Sequence, residues 1–365
     1  MECRIQNSKT NLKTCIYPFE YISTTHDGFY QSCPVSQKTE YSVHTLTPEE
    51  YFSGSYASSL RHDLLLQKNT TKVERNCEYC LSLEKKGLKS FRKPILKDQE
   101  VSLKYLIINH IGNKCNLKCL GCSPERSSGY GPLIDNWDKK SFELKNLKEL
   151  VYISLLGGEP FLMKSTEEIL QSMPDQCKIS ITTNGLVYPQ YLKNFNSKKI
   201  KILISIDGIN ELDDYIRTGS NFDRKKRIIK KFIDTFESVH FLCTFNIVNY
   251  KYLSDIKDFL NTEYNYDLKI VNRMFEPTFF DAVNLPISIK KNYNKKFDSD
   301  FINKEPNEKL LRKGIGVLKK YDKTQKSNFL DYYPELYDLY NSVEEQEYVS
   351  LWNETPIPPI MEYRV

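Results

Sequence analysis

The sequence Cys115-Asn116-Leu117-Lys118-Cys119-Leu120-Gly121-Cys122 decides how the rest of the chain is interpreted. Three thiolates in this run can hold three irons of a four-iron cluster, which leaves the fourth iron open to a small molecule. The chain has 10 Cys in 365 residues, and random placement would produce such a triplet with a probability of roughly 1%. A structural zinc site is the alternative, but zinc needs four closed ligands and no Cys or His follows the triplet at a short spacing.

The composition is that of a folded protein with a mild charge imbalance. Hydrophobic residues make up 40% of the chain and the net charge is +5. Because a nucleic-acid binder usually has a concentrated basic face, this balance does not indicate nucleic acid as a partner. No apolar run reaches the ~18 residues of a membrane span, so no membrane is expected. Two Cys sets at metal-ligand spacing, and a polar start without a signal-peptide core, favour reduced thiols and a cytoplasmic protein.

Strand-like and helix-like patterns alternate after about residue 104. Apolar, β-branched runs predict strands at residues 105–109, 151–155, 179–183, 200–206, 239–246 and 268–271. Amphipathic segments between them, such as 166–173 and 227–237, predict helices. This alternation predicts an α/β fold with a partial, TIM-like (β/α)6 barrel. The Cys triplet follows the first of these strands, at the end of a barrel where active sites lie.

Changes in composition and in hydrophobic pattern along the sequence predict three segments. Residues 1–95 form a polar, Cys-rich module, residues 96–285 form the partial barrel, and residues 286–365 form a C-terminal helical extension. A basic run at 224–231 interleaves with an apolar stripe, so we interpret it as a solvated outer helix face and not as a nucleic-acid patch.

A series of short motifs, in order at the predicted strand ends, resembles the radical S-adenosylmethionine (SAM) superfamily. The series consists of the Cys triplet, Gly157-Gly158-Glu159-Pro160, Thr183-Asn184-Gly185, Ser205-Ile206-Asp207-Gly208 and Tyr215-Ile216-Arg217. The resemblance implies a [4Fe-4S] cluster on Cys115, Cys119 and Cys122, which are also its catalytic residues. It implies SAM binding by Gly157, Gly158, Glu159, Pro160, Asn184, Ser205, Asp207 and Arg217.

The resemblance also implies roles for individual side chains. Glu159 would accept a hydrogen bond from the SAM amino group, and Arg217 would pair with the SAM carboxylate. Paired glycines let the backbone approach such a ligand closely. Gly121 departs from the family, in which the residue before the last Cys is often aromatic, and this leaves adenine contact through that position open.

The activity implied by the resemblance is that of a radical SAM enzyme. The reduced cluster would pass one electron to SAM, giving methionine and a 5′-deoxyadenosyl radical that takes hydrogen from a substrate. A reductant protein such as flavodoxin or ferredoxin would be a partner. The substrate stays open among peptides, nucleotides or RNA, and small metabolites. Two alternatives remain, a scaffold in which both Cys sets hold zinc and a SAM-binding protein without turnover.

The cysteines before the barrel resemble the auxiliary-cluster module of twitch-type radical SAM proteins. The similar residues are Cys15-Ile16-Tyr17-Pro18-Phe19, Asp27-Gly28, Cys33, Cys77-Glu78-Tyr79-Cys80, Glu84, Gly87, Ser90 and Arg92, and the similarity continues to residues 328–336. A turn at Asp27-Gly28 predicts a hairpin that brings Cys15 and Cys33 together. Cys15, Cys33, Cys77 and Cys80 could then ligate a second [4Fe-4S] cluster, with structural zinc as the alternative. We interpret Cys3, Cys177 and Cys243 as structural thiols or as lying outside the sites.

Overall fold

The computed structural model of the chain describes residues 15–85, 90–95, 100–109, 112–135, 142, 144–274, 276–293 and 299–348. Cys3 and Gly87 of the sequence predictions lie outside the described residues. The strands are β1 Tyr21–Thr24, β2 Tyr30–Gln31, β3 Tyr105–Asn109, β4 Lys118–Cys119, β5 Tyr152–Leu156, β6 Lys178–Thr183, β7 Ile200–Ser205, β8 Arg217–Thr218, β9 Ser238–Phe245 and β10 Ile270–Arg273. The helices are α1 Tyr17–Glu20, α2 Pro48–Ser53, α3 Ser55–Leu65, α4 Thr71–Lys85, α5 Lys164–Ser172, α6 Glu211–Ile216, α7 Phe222–Thr235, α8 Leu253–Tyr264, α9 Ile287–Tyr293, α10 Ser299–Asn303, α11 Glu308–Asp322, α12 Phe329–Tyr332 and α13 Tyr337–Asn341.

The main sheet has the order β10-β9-β7-β6-β5-β3-β1-β2. Six strands of this sheet are parallel and follow one another in chain order, which is the arrangement of a (β/α) barrel. They are β3, β5, β6, β7, β9 and β10. Helices α5, α7 and α8 lie between successive strands in the chain. The predicted α/β fold, with six strands in a parallel sheet, is therefore confirmed.

Two strands before the predicted barrel extend this sheet, which the sequence did not predict. Strand β1 pairs in parallel with β3, so that Ile22 lies opposite Leu106. Strand β2 returns antiparallel to β1 after the turn at Gly28, whose φ of 83° suits glycine. The predicted hairpin is thus present, and it is joined to the barrel sheet by backbone hydrogen bonds. The division into three segments stays a prediction.

The two faces of the sheet differ in chemistry. One face consists of buried apolar side chains, such as Ile153, Ile179 and Ile202, that pack with the buried residues of the helices in a single core. The other face carries Ser154, Ser180, Lys201 and Ser238 in one register row, and Ser180 donates a hydrogen bond to Ser154 at 3.0 Å. Because side chains alternate along each strand, one side of every strand faces the helices, and the other side carries these polar residues together with Ile107, Leu156 and Leu203.

The basic run at 224–231 is only partly a solvated helix face. Arg224 and Arg227 are exposed, as predicted, but the Lys225 side chain is fully buried. Its ammonium lies 2.8 Å from both carboxylate oxygens of Asp213. The correction has a simple cause, since a buried carboxylate on α6 needs a cation and Lys225 lies on the inner side of α7.

After β10 the chain is helical, and α11 is the longest element there. Its buried side chains include Leu311, Ile315 and Leu318, all part of the main core. Gly314 lies where a Cβ atom would come within 2.3 Å of the Phe279 carbonyl oxygen, so this helix packs very closely on the loop after β10. In the described part of the chain, no helix is long and apolar enough to cross a membrane.

Candidate active site

The loop after β3 places the three predicted cysteines side by side. Cys115, Cys119 and Cys122 are half-buried free thiols, and the Cys122 amide donates to the Cys119 carbonyl at 3.1 Å. Burial, together with the nearby Cys115 thiol, raises the pKa of the Cys122 thiol to about 11. The three sulfur atoms therefore lie close enough to influence one another, and each would have to lose its proton on binding a metal.

Hydroxyl groups from distant positions hold the backbone of this loop. The Ser127 hydroxyl donates to the Leu117 carbonyl at 2.7 Å, and the Tyr130 hydroxyl donates to the Cys119 carbonyl at 2.9 Å. Tyr348, far along the chain, donates to the Cys122 carbonyl at 2.8 Å. These contacts fix the backbone of the loop without involving the thiols. The sequence analysis did not identify these hydroxyl residues, because nothing local marks them.

The Gly157-Gly158-Glu159-Pro160 segment leaves β5 and lies directly against the thiol loop. The Gly158 amide donates to the Arg126 carbonyl at 3.2 Å, and the Glu159 amide donates to the Lys114 carbonyl at 2.8 Å. A Cβ atom on Gly158, whose φ is 51°, would come within 2.6 Å of the Lys114 carbonyl oxygen. The glycine is thus required by contact between the two motifs themselves.

Glu159 is fully buried, and both of its carboxylate oxygens have partners within the protein. One oxygen accepts from the Thr183 hydroxyl at 2.7 Å and the other from the Asn184 amide at 2.7 Å. Burial raises the pKa of Glu159 to about 7, while these hydrogen bonds oppose the rise. The side chain therefore ties the end of β5 to the end of β6. This structural role was not part of the sequence prediction.

Three further predicted residues lie at or just after neighbouring strand ends. The Asn184 side-chain amide donates to the Asn116 side chain at 2.8 Å, which connects the end of β6 to the thiol loop. Ser205 is the last residue of β7 and lies on the polar face of the sheet, opposite Leu242 of β9. Pro160 begins a short 3-10 turn, and its carbonyl accepts from Thr166.

Asp207 and Arg217 form a buried ion pair at the same end of the sheet. Their charged groups approach to 2.7 Å, and their side chains are only 8% and 11% exposed. The Arg217 guanidinium also donates to the Cys119 sulfur at 3.8 Å. Its Nε atom is buried and has no hydrogen-bond partner within the described residues. Arg217 thus lies beside a thiol, a position that the sequence did not predict.

Met274, just after β10, covers the position at which this chain departs from the family. Gly121 has a φ of 82°, and a Cβ atom built there would come within 2.3 Å of the Met274 methyl carbon. Met274 is itself only 7% exposed. A larger side chain at position 121 would therefore displace Met274, which explains the glycine in this chain.

The donor set of the loop suits an iron–sulfur cluster with one open iron. Three thiols lie together, and two of their sulfurs accept hydrogen bonds, from Leu117 N to Cys115 at 3.4 Å and from Arg217 to Cys119 at 3.8 Å. Hydrogen bonds to sulfur are a general feature of cluster ligation by proteins. Among the described residues, no three His, Cys, Asp or Glu side chains are arranged to hold a single metal ion.

The four cysteines of the N-terminal segment come together in a second place. Cys15, Cys33, Cys77 and Cys80 are all buried, and they line one small cavity. Cys77 and Cys80 lie on successive turns of α4. Burial raises the pKa of the Cys77 thiol to about 12, and the neighbouring Cys15 thiol adds to the rise.

An arginine–carboxylate pair also lies at this second set. Arg92 lines the cavity, and its guanidinium pairs with the Glu84 carboxylate, to which its Nε donates at 3.0 Å. Ser90 donates to the same carboxylate. The structure thus brings together residues that the sequence grouped only by resemblance. The remaining described cysteines, Cys177 and Cys243, are fully buried, and Cys243 is a core residue on the apolar face of β9.

Comparison with known proteins identifies the region that carries the triplet. Residues 109–260 match the family model of the radical SAM superfamily. The chain contains a radical SAM domain. This domain spans the Cys triplet, all the strand-end motifs and the strands from β4 to β9, and proteins of this family use a [4Fe-4S] cluster and SAM.

Relatives of the radical SAM domain carry names of one activity. The chain is 34% identical over 149 residues to a probable GTP 3′,8-cyclase of Methanococcus maripaludis (strain C5 / ATCC BAA-1333), covering 36% of this chain and 49% of the relative. It is 31% identical over 113 residues to a GTP 3′,8-cyclase of Pelotomaculum thermopropionicum (strain DSM 13744 / JCM 10971 / SI), covering 29% of this chain and 34% of the relative. The chain therefore spans about half or less of the curated relatives it matches.

Among solved structures, the chain is similar to native anSMEcpe with bound AdoMet. The TM-score is 0.39 at 18% identity, with 66% of this chain and 64% of that chain covered.

Proposed function

We propose that this chain is a radical SAM enzyme that binds a [4Fe-4S] cluster at Cys115, Cys119 and Cys122 and cleaves SAM reductively. One observation carries the proposal. Residues from two consecutive strand ends contact the loop that bears the thiols, Gly158 and Glu159 after β5 and Asn184 after β6, and Arg217 of β8 contacts it through Cys119. A site built from successive strand ends around a three-thiol loop leaves room for a ligand on the open iron.

Each part of the site has a task in this proposal. Cys115, Cys119 and Cys122 would hold the cluster, which would supply the one electron needed for reductive cleavage of SAM. The backbone at Gly157 and Gly158, both at positive φ, allows the methionine part of SAM to approach the loop. Glu159 and Pro160 hold that backbone against the loop and the end of β6. The remaining polar contacts to SAM would come from Asn184, Ser205, Asp207 and Arg217.

The polar face of the sheet is the surface proposed for the substrate. Three buried oxygen atoms on it, belonging to Asn109, Thr182 and Asn272, have no hydrogen-bond partner in the described part of the chain. Their strands pair in a register that places all three on the same face as Ser154 and Ser180. Buried polar groups of this kind gain a partner when a polar ligand or water binds. A polar substrate is therefore favoured.

We further propose that the four N-terminal thiols hold a second [4Fe-4S] cluster. The support is the single cavity lined by Cys15, Cys33, Cys77 and Cys80, with its lining otherwise largely apolar. Four thiolates would leave no iron open, so this group would transfer an electron or hold the segment in place. A small reductant protein such as flavodoxin or ferredoxin would supply electrons, as expected for an enzyme of the cytoplasm.

The test of the main proposal is anaerobic reconstitution followed by a SAM-cleavage assay. The unaltered protein should release 5′-deoxyadenosine under dithionite, and the Cys115→Ala, Cys119→Ala, Cys122→Ala triple variant should release none. Cys177→Ala, which alters a buried cysteine ahead of β6, is the matched control and should retain the activity. A triple variant that cleaves SAM at the unaltered rate would disprove the assignment. A coloured protein that binds SAM without cleaving it would favour the alternative without turnover.

The substrate needs a separate experiment, because the relatives named GTP 3′,8-cyclase share only part of their length with this chain. The candidate substrates to be tested are GTP, peptides, RNA and small metabolites. Each candidate substrate would be supplied in deuterated form and incubated with unlabelled SAM in turn. The true substrate should accelerate 5′-deoxyadenosine release and transfer one deuterium to it, whereas other compounds should leave the release rate at its uncoupled value and the product unlabelled.

A further inference from the structure

We infer that Arg217 sets the reduction potential of the cluster on the thiol loop, acting through Cys119. The inference rests on the proposed function, since it requires a cluster at the triplet. It assigns Arg217 to the cluster itself, and this differs from the SAM-carboxylate role that the sequence resemblance implies. Arg217 is in this sense a positioning residue, because it acts on the redox centre through a ligand.

The first support is the fixed position of the guanidinium beside the sulfur. Arg217 and Cys119 are directly opposite each other in the short antiparallel pair of β4 and β8. The neighbouring amide of Leu120 donates to the Ile216 carbonyl at 2.8 Å. Directly opposed residues in such a pair present their side chains on the same side. The backbone therefore holds the guanidinium against the thiol, and the distance of 3.8 Å from its Nη1 atom to the sulfur agrees.

The second support is a carboxylate that fixes the other side of the guanidinium. Asp207 lies 2.7 Å from the Nη2 atom of Arg217. The Asp207 carboxylate also accepts from the Thr244 amide at 2.8 Å, and its own carbonyl accepts from the Asn249 side chain at 2.8 Å. The carboxylate is thus anchored to β9 and to the loop after it. With Asp207 anchored, Arg217 has little freedom to swing away from Cys119.

The third support is the exclusion of water. The side chains of Arg217 and Asp207 are 11% and 8% exposed. Charges in such surroundings are weakly screened, so a guanidinium beside a sulfur acts on it strongly. A guanidinium also stays charged throughout the accessible pH range.

The sign of the effect follows from the charge of the cluster. Reduction adds one negative charge, and a positive neighbour that donates to a ligand sulfur stabilises the reduced state. Arg217 should therefore raise the potential, and Asp207 should lower it. Removing the Arg217 charge and removing the Asp207 charge should therefore shift the potential in opposite directions. A residue that only supports the fold would not give this pair of opposite shifts.

The experiment measures midpoint potentials by anaerobic redox titration with electron paramagnetic resonance, in the absence of SAM. The signal that is missing from the triple Cys variant identifies the cluster on the thiol loop. Arg217→Met should shift the midpoint of that signal to a more negative value, and Asp207→Asn should shift it to a less negative one. Arg217→Lys keeps the charge and should lie between Arg217→Met and the unaltered protein.

Lys118→Met is the matched control, because Lys118 is adjacent to Cys119 in sequence but is exposed to solvent. Removing its screened charge should shift the midpoint less than Arg217→Met does. Equal midpoints in the unaltered protein and in Arg217→Met, at full iron content, would overturn the inference. If Arg217→Met loses iron, an Asp207→Asn midpoint that is unchanged or more negative overturns it instead. Absence of a reducible cluster at the triplet in the unaltered protein would overturn the proposed function, which is a distinct result.

Discussion

The two cysteine sets differ in how many thiols they contain and in how far those thiols are enclosed. Cys115, Cys119 and Cys122 are half-buried on a loop at the strand ends. The four N-terminal thiols are between 4% and 9% exposed and line a cavity bordered by the segment after β2 and by the helices α1, α3 and α4. Both sets have an arginine–carboxylate pair beside them, Arg217 with Asp207 and Arg92 with Glu84.

The difference in thiol number and burial indicates what each set can do when it binds iron. A half-buried set of three ligands leaves one coordination position that a small molecule can reach. An enclosed set of four ligands leaves none, and its function is restricted to electron transfer or to structure. In both sets, the exposure of the thiols therefore matches the number of ligands: the more exposed set has three, and the enclosed set has four.

The largest expected effect separates the two sets by metal content. The Cys115→Ala, Cys119→Ala, Cys122→Ala variant should lose about four irons and keep about four, held by Cys15, Cys33, Cys77 and Cys80, because a closed four-thiol set saturates one cluster. Iron, sulfide and zinc would be determined on anaerobically prepared protein. Adding SAM should leave the remaining paramagnetic signal unchanged, since no iron there is open.

Two outcomes would contradict this view of the N-terminal set. About one zinc per chain with no residual iron would show a structural zinc site, for which four Cys ligands are sufficient. A remaining signal that shifts on adding SAM would show an open iron, and one of the four cysteines would then not be a ligand.

A smaller effect is expected from the buried charges beneath the three-thiol site. Lys225→Met leaves the buried Asp213 carboxylate without its cation, and Asp213 also accepts from the Asp207 amide at 3.4 Å. Breaking a buried pair by removing one partner costs about 3–5 kcal/mol of unfolding free energy. Urea denaturation followed by circular dichroism would measure this loss.

The adjacent Lys226→Met is the control for that change. Lys226 pairs with Asp223 at 2.9 Å, but both side chains reach solvent. Exposed pairs contribute about 0–1 kcal/mol, so this variant should be nearly as stable as the unaltered protein. Similar stability losses in the two variants would mean that the buried Asp213–Lys225 pair contributes no more to folding than the exposed Asp223–Lys226 pair.

The smallest expected effect is a change in the affinity for SAM. Glu159→Ala should leave the iron content at both sets unchanged and weaken SAM binding, because the carboxylate holds the ends of β5 and β6 together beside the loop. Each internal hydrogen bond to the charged carboxylate is worth on the order of 1.5–3 kcal/mol, so the loss of SAM affinity should reach at most roughly 10- to 150-fold. Calorimetry on reconstituted protein, with the exposed Glu237→Ala as control, would test this.

Unchanged SAM affinity in Glu159→Ala would separate the Gly157-Gly158-Glu159-Pro160 segment from SAM binding. Loss of iron from the thiol loop in the same variant would indicate instead that Glu159 supports the loop. Each result would change the role of this residue without affecting the comparison between the two cysteine sets.

The sequence by itself determined the strands and the position of the motifs at their ends. Runs such as Tyr105–Asn109 and Ile200–Ser205 are apolar and β-branched, and this local property is sufficient to form buried parallel strands. Since parallel strands all point the same way, motifs that follow them meet at one end of the sheet. The predicted site residues of the radical SAM domain therefore lie together in the structure.

Only the tertiary structure decided which side chains contact one another within the site. Arg217 and Cys119 are 98 positions apart, and their contact follows from the pairing of β4 and β8. Met274 covers Gly121 because the end of β10 packs on the thiol loop. Lys225 is buried because α7 packs on α6, although the preceding Arg224 is exposed. Periodicity describes neighbours along one element, whereas these contacts depend on the distances between elements, which only packing sets.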